Sequence, residues 1–183
     1  MNECFQVCAI LGTSRPGSYT GFALNLIIDE MLSDNFPEIS SVEVLRPSHI
    51  NLGFPDTGVD KSDARMVQNM VSAADGLIFA TPEYHGSFAA MTKLIIENLG
   101  FPSAIKDKPV ALLGCAAGQA GAKKALEHLS ITLSHIGALP LEELTSIGNV
   151  RKVFDKHGYC IDHSVETQIR NVSKNLVDHL VNR

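Results

Sequence analysis

The chain has 183 residues, of which 45% are hydrophobic and 19% charged, and its formal net charge is −5 at pH 7. This length supports one domain over residues 1–183 with a full hydrophobic core, and the acidic balance argues against nucleic acid as a main partner. No stretch approaches the apolar length of a membrane span, and Glu3 and Gln6 interrupt any signal-peptide pattern. We therefore expect a cytoplasmic protein without a membrane segment.

Apolar segments with strand-like and helix-like spacing alternate along the chain. The first half predicts a strand at 5–11, a helix at 22–32, a strand at 41–45, a helix from 62 or 63 to 73 and a strand at 76–80. The second half predicts a helix at 88–99, a strand at 109–113, a helix at 122–135, a strand at 138–144 and a helix at 164–181. Residues 147–160 are predicted to be irregular.

Five strands that alternate with five helices predict an α/β domain in which a parallel sheet lies between two layers of helices. The default arrangement of five parallel strands is a flavodoxin-like three-layer sandwich with strand order 2-1-3-4-5. Such a sheet binds its ligand at the switch point, outside the carboxyl ends of strands one and three. Loops 12–20 and 81–87 follow these strands, and the glycine-rich loop 114–121 follows strand four. We therefore expect three loops that are distant in sequence to converge on one crevice.

The loop after the first strand reads Gly-Thr-Ser-Arg-Pro-Gly-Ser-Tyr-Thr over residues 12–20 and leads into a helix. Backbone N–H groups at the positive end of a helix dipole favour a phosphate. Ser18 stands where a P-loop requires lysine, and the three close glycines of a dinucleotide fingerprint are absent. A terminal phosphate monoester suits the loop, with a bidentate Arg15 contact and the hydroxyls of Thr13, Ser18 and Thr20. The alternative is an ordinary polar loop in which Ser18 caps the helix.

The other two loops offer backbone rather than reactive side chains. The loop 81–87 reads Thr-Pro-Glu-Tyr-His-Gly-Ser, in which Pro82 fixes one φ angle and Gly86 permits a tight turn. It would present rigid N–H and C=O groups to the edge of a flat heteroaromatic ring. The loop 114–121 has almost no side-chain bulk, so a planar ring could lie against its backbone. Its alternative role is to leave room where a strand ends and a helix begins.

The four cysteines, Cys4, Cys8, Cys115 and Cys160, form no Cys-x-x-Cys pair, and no histidines cluster around them. A zinc site is therefore not expected, and no residue is predicted to ligate a metal. We expect the thiols to be reduced, with the buried ones acting as small apolar residues.

The pairing of Gly-Thr-Ser-Arg-x-Gly-Ser-x-Thr after strand one with Thr-Pro-Glu-Tyr-His-Gly-Ser after strand three resembles the NAD(P)H-dependent FMN reductase family. This group of flavodoxin-like proteins includes chromate- and quinone-reducing flavoenzymes and azoreductases. The resemblance runs over nearly the whole chain, and Lys93 matches a recurrent lysine. It implies that the cofactor is FMN and that NADPH or NADH donates the electrons.

The resemblance also implies the binding residues by position. The FMN phosphate would be held by Thr13, Ser14, Arg15, Ser18, Tyr19 and Thr20. The isoalloxazine ring would be bordered by Pro82, Glu83, Tyr84, His85, Gly86 and Ser87, together with Gly114 and Gly118. Since the flavin carries out the hydride chemistry, no catalytic acid or base is predicted.

The leading hypothesis is an FMN-dependent NAD(P)H oxidoreductase that passes hydride through flavin N5 to a flavin, quinone, azo compound or metal oxyanion. Two other classes stay open: a flavodoxin-like electron carrier, and a non-redox module that binds FMN. The absence of tryptophan and the modest charge argue against the carrier. The resemblance further implies a homodimer or homotetramer that acts on small molecules.

Overall fold

The computed structural model describes residues 4–55, 57–58 and 60–183. Its strands are β1 (Phe5–Leu11), β2 (Ile39–Leu45), β3 (Gly76–Tyr84), β4 (Ser87–Phe88), β5 (Pro109–Cys115) and β6 (Leu139–Ile147). Five of them form a parallel sheet in the order β2-β1-β3-β5-β6, while β4 pairs with β3 in the antiparallel sense. Since β4 is an added two-residue strand, this order is the predicted 2-1-3-4-5, and the flavodoxin-like prediction is confirmed.

Six helices and one 3₁₀ turn flank the sheet in the described part of the chain. They are α1 (Tyr19–Met31), α2 (Ser62–Ala73), α3 (Ala90–Glu97), α4 (Lys123–His135), α5 (Val150–Val153) and α6 (His163–Val181), with the 3₁₀ turn at Pro47–His49. Measured over these residues, none of the helices has both the length and the apolar character needed to cross a membrane.

Two hydrophobic cores lie on opposite faces of the sheet. Successive side chains of a strand point to opposite faces, so Val7 and Ala9 join the core beneath α1 and α6, while Cys8 and Ile10 join the core beneath α2, α3 and α4. Both faces of β1 are buried, which accounts for its continuous apolar run. These two cores give the three predicted layers.

Three predicted boundaries are corrected by the structure. Strand β3 continues to Tyr84, so most of the predicted loop 81–87 is strand, because residues 81 and 82 pair with β5 and residues 83 and 84 pair with β4. Helix α3 begins at Ala90 rather than at residue 88, because Phe88 belongs to β4. The segment 147–160 is not irregular throughout, since it contains the end of β6, helix α5 and a bridge between Phe154 and Cys160.

Candidate functional site

A cavity of about 540 Å³ lies at the carboxyl edge of the sheet, where β1, β3, β5 and β6 end. This is the crevice that the topology predicts. It is lined by Arg15, Gly17, Ser18, Tyr19, Thr20, Pro82, Glu83, Tyr84, Cys115, Ala117, Gly118, Val150 and Arg151. Arg15 and Tyr84, which are far apart in the chain, therefore face one space.

The first wall is the loop between β1 and α1. Ser18 is the N-cap of α1, and its Oγ accepts a hydrogen bond from the backbone N–H of Gly21 at 3.0 Å. The Oγ1 of Thr13 accepts from the N–H of Arg15 at 3.2 Å and so folds the loop on itself. Ser18 therefore caps the helix, as the second interpretation of this loop expects. Ser18 also lines the cavity, and its hydroxyl retains a proton that it can donate to a ligand.

The Arg15 guanidinium is exposed on this wall. Across the described residues it makes no hydrogen bond or ion pair. An arginine with no partner among the described residues, beside the N-terminus of the 13-residue helix α1, is suited to bind an anion.

The second wall is the end of β3 and its hairpin. His85 and Gly86 have φ angles of 52° and 80°, which is the pattern of a two-residue type I′ turn. Glu83 Oε1 accepts from the N–H of Gly86 at 2.6 Å, so this carboxylate is engaged by the turn. Tyr84 remains 49% exposed at the cavity. The wall therefore combines a fixed backbone with one accessible aromatic ring.

A buried hydroxyl pair joins the first wall to the second. Thr92 Oγ1 donates to the carbonyl of Gly12 at 3.2 Å and lies 2.9 Å from Thr81 Oγ1, which in turn accepts from the N–H of Ala89. A Cβ on Gly12 would lie 2.1 Å from Thr92 Oγ1, so only glycine permits this approach. Helix α3 thereby sets the spacing between the two loops.

The third wall is the loop between β5 and α4. A Cβ built on Gly118 meets no heavy atom within 4 Å, so this backbone faces open space. Gly114 differs, because its Cβ would lie 2.6 Å from that of Ala122. The Cα of Gly114 faces helix α4, so this glycine makes room where the helix begins. Contact of Gly118 with a bound ring stays a prediction.

Several predicted site residues do not line the cavity. Ser14 is exposed, Thr13 shapes its own loop, and His85 and Gly86 form the hairpin turn. Ser87 Oγ lies 3.2 Å from the Nδ1 of His128 on α4. For these residues, as for Gly114, contact with a bound flavin stays a prediction.

The structure adds residues that the sequence reasoning did not single out. These are Gly17, Cys115, Ala117, Val150 and Arg151. Arg151 lies in the segment that was predicted to be irregular. A sequence signal for Arg151 does exist, in the run Ile-Gly-Asn-Val-Arg over 147–151. An apolar residue, a glycine and then an arginine follow one another there, as they do in the first loop from Leu11 through Gly12 to Arg15.

Replacing Gly118 with valine is expected to leave the free energy of unfolding within about 0.5 kcal/mol of wild type, since a Cβ at this position meets no heavy atom within 4 Å. The same side chain would fill part of the cavity and weaken ligand binding. Urea unfolding and a flavin titration measure the two effects. Wild-type flavin affinity in a well-folded variant would show that this loop does not face the ring.

The Cys115 thiol is expected to stay unmodified when the native protein is treated with iodoacetamide at pH 8. Burial raises its pKa to about 12, against a smaller opposing effect of a hydrogen bond from Thr20. The thiol is therefore protonated at pH 8, and the thiolate is the reactive form. Mass spectrometry of the native and urea-unfolded protein checks this. Labelling of Cys115 in both states would contradict it.

Comparison with known proteins agrees with the geometry. The model of the NADPH-dependent FMN reductase family matches residues 5–152. An NAD(P)H-dependent FMN reductase of Pseudomonas aeruginosa is 31% identical over 176 residues, which cover 93% of this chain and 92% of that protein. A quinone reductase of Escherichia coli is 28% identical over 174 residues, or 88% of each chain.

Among solved structures, the flavoenzyme FerB, an NAD(P)H:(acceptor) oxidoreductase from Paracoccus denitrificans, superposes with a TM-score of 0.77. It is 17% identical, and the match covers 97% of this chain and 98% of that one, so it supports the fold. Because the family model spans most of the chain, this protein belongs to the NADPH-dependent FMN reductase family, which confirms the predicted oxidoreductase class and the predicted pairing of FMN with a nicotinamide nucleotide.

Proposed function

We propose that the cavity between Arg15, Tyr84 and Gly118 holds FMN and that the protein reduces small-molecule acceptors with NADPH or NADH. The observation that carries this proposal is the convergence of the two motif loops on one cavity of about 540 Å³. That volume falls within the range of about 300–1,000 Å³ that is typical of small-molecule sites.

The residues of the first wall suit a phosphate monoester. Arg15 and the N-terminus of α1 supply positive charge, and Ser18 and Thr20 supply hydroxyls. Glu83 is the acidic residue in the lining, and its Oε1 is engaged by the hairpin. With Arg15 and Arg151 against Glu83, the lining has a net positive charge, which fits the anionic tail of FMN.

The residues of the second and third walls suit a flat ring. Pro82, Ala117 and Gly118 carry little or no side-chain bulk, and Gly118 faces open space. Tyr84 can border the ring or a nicotinamide that lies against it. The hairpin turn and the Thr81–Thr92 contact hold this wall in place.

Bound FMN supplies the hydride chemistry. The work of the chain is to hold the phosphate with Arg15, to orient the ring against the backbone of residues 82 and 118, and to leave one face accessible. Glu83 is bonded to the N–H of Gly86 and so is not assigned a role as an acid or base. A reaction of this kind needs positioning rather than proton transfer from a side chain.

The acceptors that we propose are flavins, quinones, azo compounds and metal oxyanions. Curated relatives include an FMN reductase, a quinone reductase and an FMN-dependent azoreductase of Staphylococcus haemolyticus, the last 27% identical over 178 residues. We further propose that the protein is a cytoplasmic homodimer or homotetramer without a nucleic-acid partner.

An anaerobic absorption spectrum of the FMN-loaded protein tests the proposal. Addition of NADPH or NADH should remove the absorption band of oxidised flavin, and a quinone should restore it without a partner protein. Free FMN at the same concentration is the control. A flavin-loaded protein whose spectrum neither nucleotide changes would be a binding module, and one that is reduced only through a second protein would be a carrier.

A further inference from the structure

Arg151 faces the same cavity as Arg15 but comes from another part of the fold. Arg15 follows β1, whereas Arg151 belongs to α5, which follows β6. We propose that Arg151 is a second phosphate-binding residue of this cavity and that its ligand is a phosphate monoester of a bound nucleotide. This inference rests on the proposed function and assigns a specific role to a residue outside both motif loops.

The backbone position of Arg151 is fixed by hydrogen bonds that the two preceding residues make. The N–H of Asn149 donates to the carbonyl of Gly118 at 3.0 Å, and the N–H of Val150 donates to the carbonyl of Ala116 at 3.1 Å. Gly148 lies so close to this loop that a Cβ would be 2.6 Å from the carbonyl oxygen of Gln119. Helix α5 is therefore tied to the third wall of the cavity.

Two valines form the buried side of α5, and Arg151 lies on the exposed side, at the cavity. Val150 and Val153 are 5% and 4% exposed and pack in the core beneath α1 and α6, whereas Arg151 is exposed. In the part of the chain that the structure describes, the Arg151 guanidinium has no hydrogen bond or ion pair. Like Arg15, it is a cation in the cavity with no acceptor among the described residues.

The charges favour a doubly charged ligand group. A phosphate monoester carries nearly two negative charges near neutral pH, and a guanidinium group can bind it through two parallel N–H···O hydrogen bonds. In this reaction two groups have that chemistry: the 5′-phosphate of FMN and the 2′-phosphate of NADPH. Riboflavin and NADH are the matching compounds that lack them.

The test compares Arg151→Ala with Lys152→Ala, a matched control. Lys152 is the next residue on α5, is exposed and does not line the cavity, so its loss changes the net charge equally. Protein freed of flavin is titrated with FMN and with riboflavin by flavin fluorescence. FMN-loaded protein is titrated with NADP⁺ and with NAD⁺ by calorimetry.

For Arg151→Ala, we expect the Kd to rise about tenfold for the compound with the monoester, with its counterpart changed less than about twofold. A rise for FMN over riboflavin identifies the 5′-phosphate, and a rise for NADP⁺ over NAD⁺ identifies the 2′-phosphate. The Lys152→Ala control should keep every Kd near wild type, and Arg151→Lys should recover part of the loss.

Three outcomes overturn the inference: no Kd changes, both members of a pair weaken equally, or the Lys152→Ala control matches Arg151→Ala. If any one of these outcomes is found and the wild-type protein still binds FMN and reacts with NADPH, the inference fails and the proposed function stands. If wild type binds no flavin, both fail.

Discussion

Replacing Gly148 with alanine is expected to lower the free energy of unfolding by about 2–3 kcal/mol and to weaken flavin binding. The added Cβ would lie 2.6 Å from the carbonyl oxygen of Gln119, 3.0 Å from that of Gly118 and 3.1 Å from the backbone nitrogen of Gly121. All three atoms belong to backbone, so no side-chain rotation relieves the contact. The two loops must move apart, and residues of both loops line the cavity.

Gly118→Ala is the matched control for this variant. It adds the same methyl group to the same pair of loops at a position where it meets no heavy atom within 4 Å. Urea unfolding should therefore place Gly118→Ala near wild type and Gly148→Ala at a lower midpoint with an unchanged slope. Equal midpoints for the two variants would show that the close approach of the loops is not required.

Replacing Arg15 with alanine is expected to weaken FMN binding by about 1.5–3 kcal/mol, or roughly 10- to 150-fold in Kd. The guanidinium faces the cavity beside the N-cap of α1, and the described residues provide it with no other acceptor. Its loss would leave the phosphate with the helix N-terminus and the hydroxyls alone. Fluorescence titration of flavin-free protein with FMN measures the change.

Two controls make this result specific. Riboflavin has no phosphate, so its Kd should be unaffected by Arg15→Ala. Arg65 on α2 is an exposed arginine outside the cavity, and Arg65→Ala should bind FMN as wild type does. An FMN Kd that Arg15→Ala leaves unchanged would remove Arg15 from the phosphate site and would require another anchor for the tail.

The fold was predictable because its signals are local and repeated. The segment 76–80 is apolar at every position, and β1 is followed at once by a polar loop and an amphipathic helix, so strand and helix alternate visibly. The strand order then follows from general rules of parallel sheets. Those rules also place Arg15, Tyr84 and Gly118 at one edge, which is where the structure has them.

The details of the site were less predictable because they depend on contacts between distant residues. The sequence predicts a loop at 81–84, yet pairing with β4 and β5 keeps this segment in the sheet. Helix α5 has four residues, too few for helical periodicity to appear in a sequence. The place of Arg151 depends on the bonds of Asn149 and Val150 to the loop after β5.

The most direct test of the proposed site is a crystal structure of the protein with FMN. We expect the phosphate to lie within hydrogen-bond distance of Arg15 and the N-terminus of α1, and the ring to lie against residues 82–84 and Gly118. The contrary result is FMN elsewhere, for example in the smaller cavity that Arg65 and Glu97 line between α2 and α3. A flavin seated there would separate the motif loops from the chemistry and would overturn the proposed site.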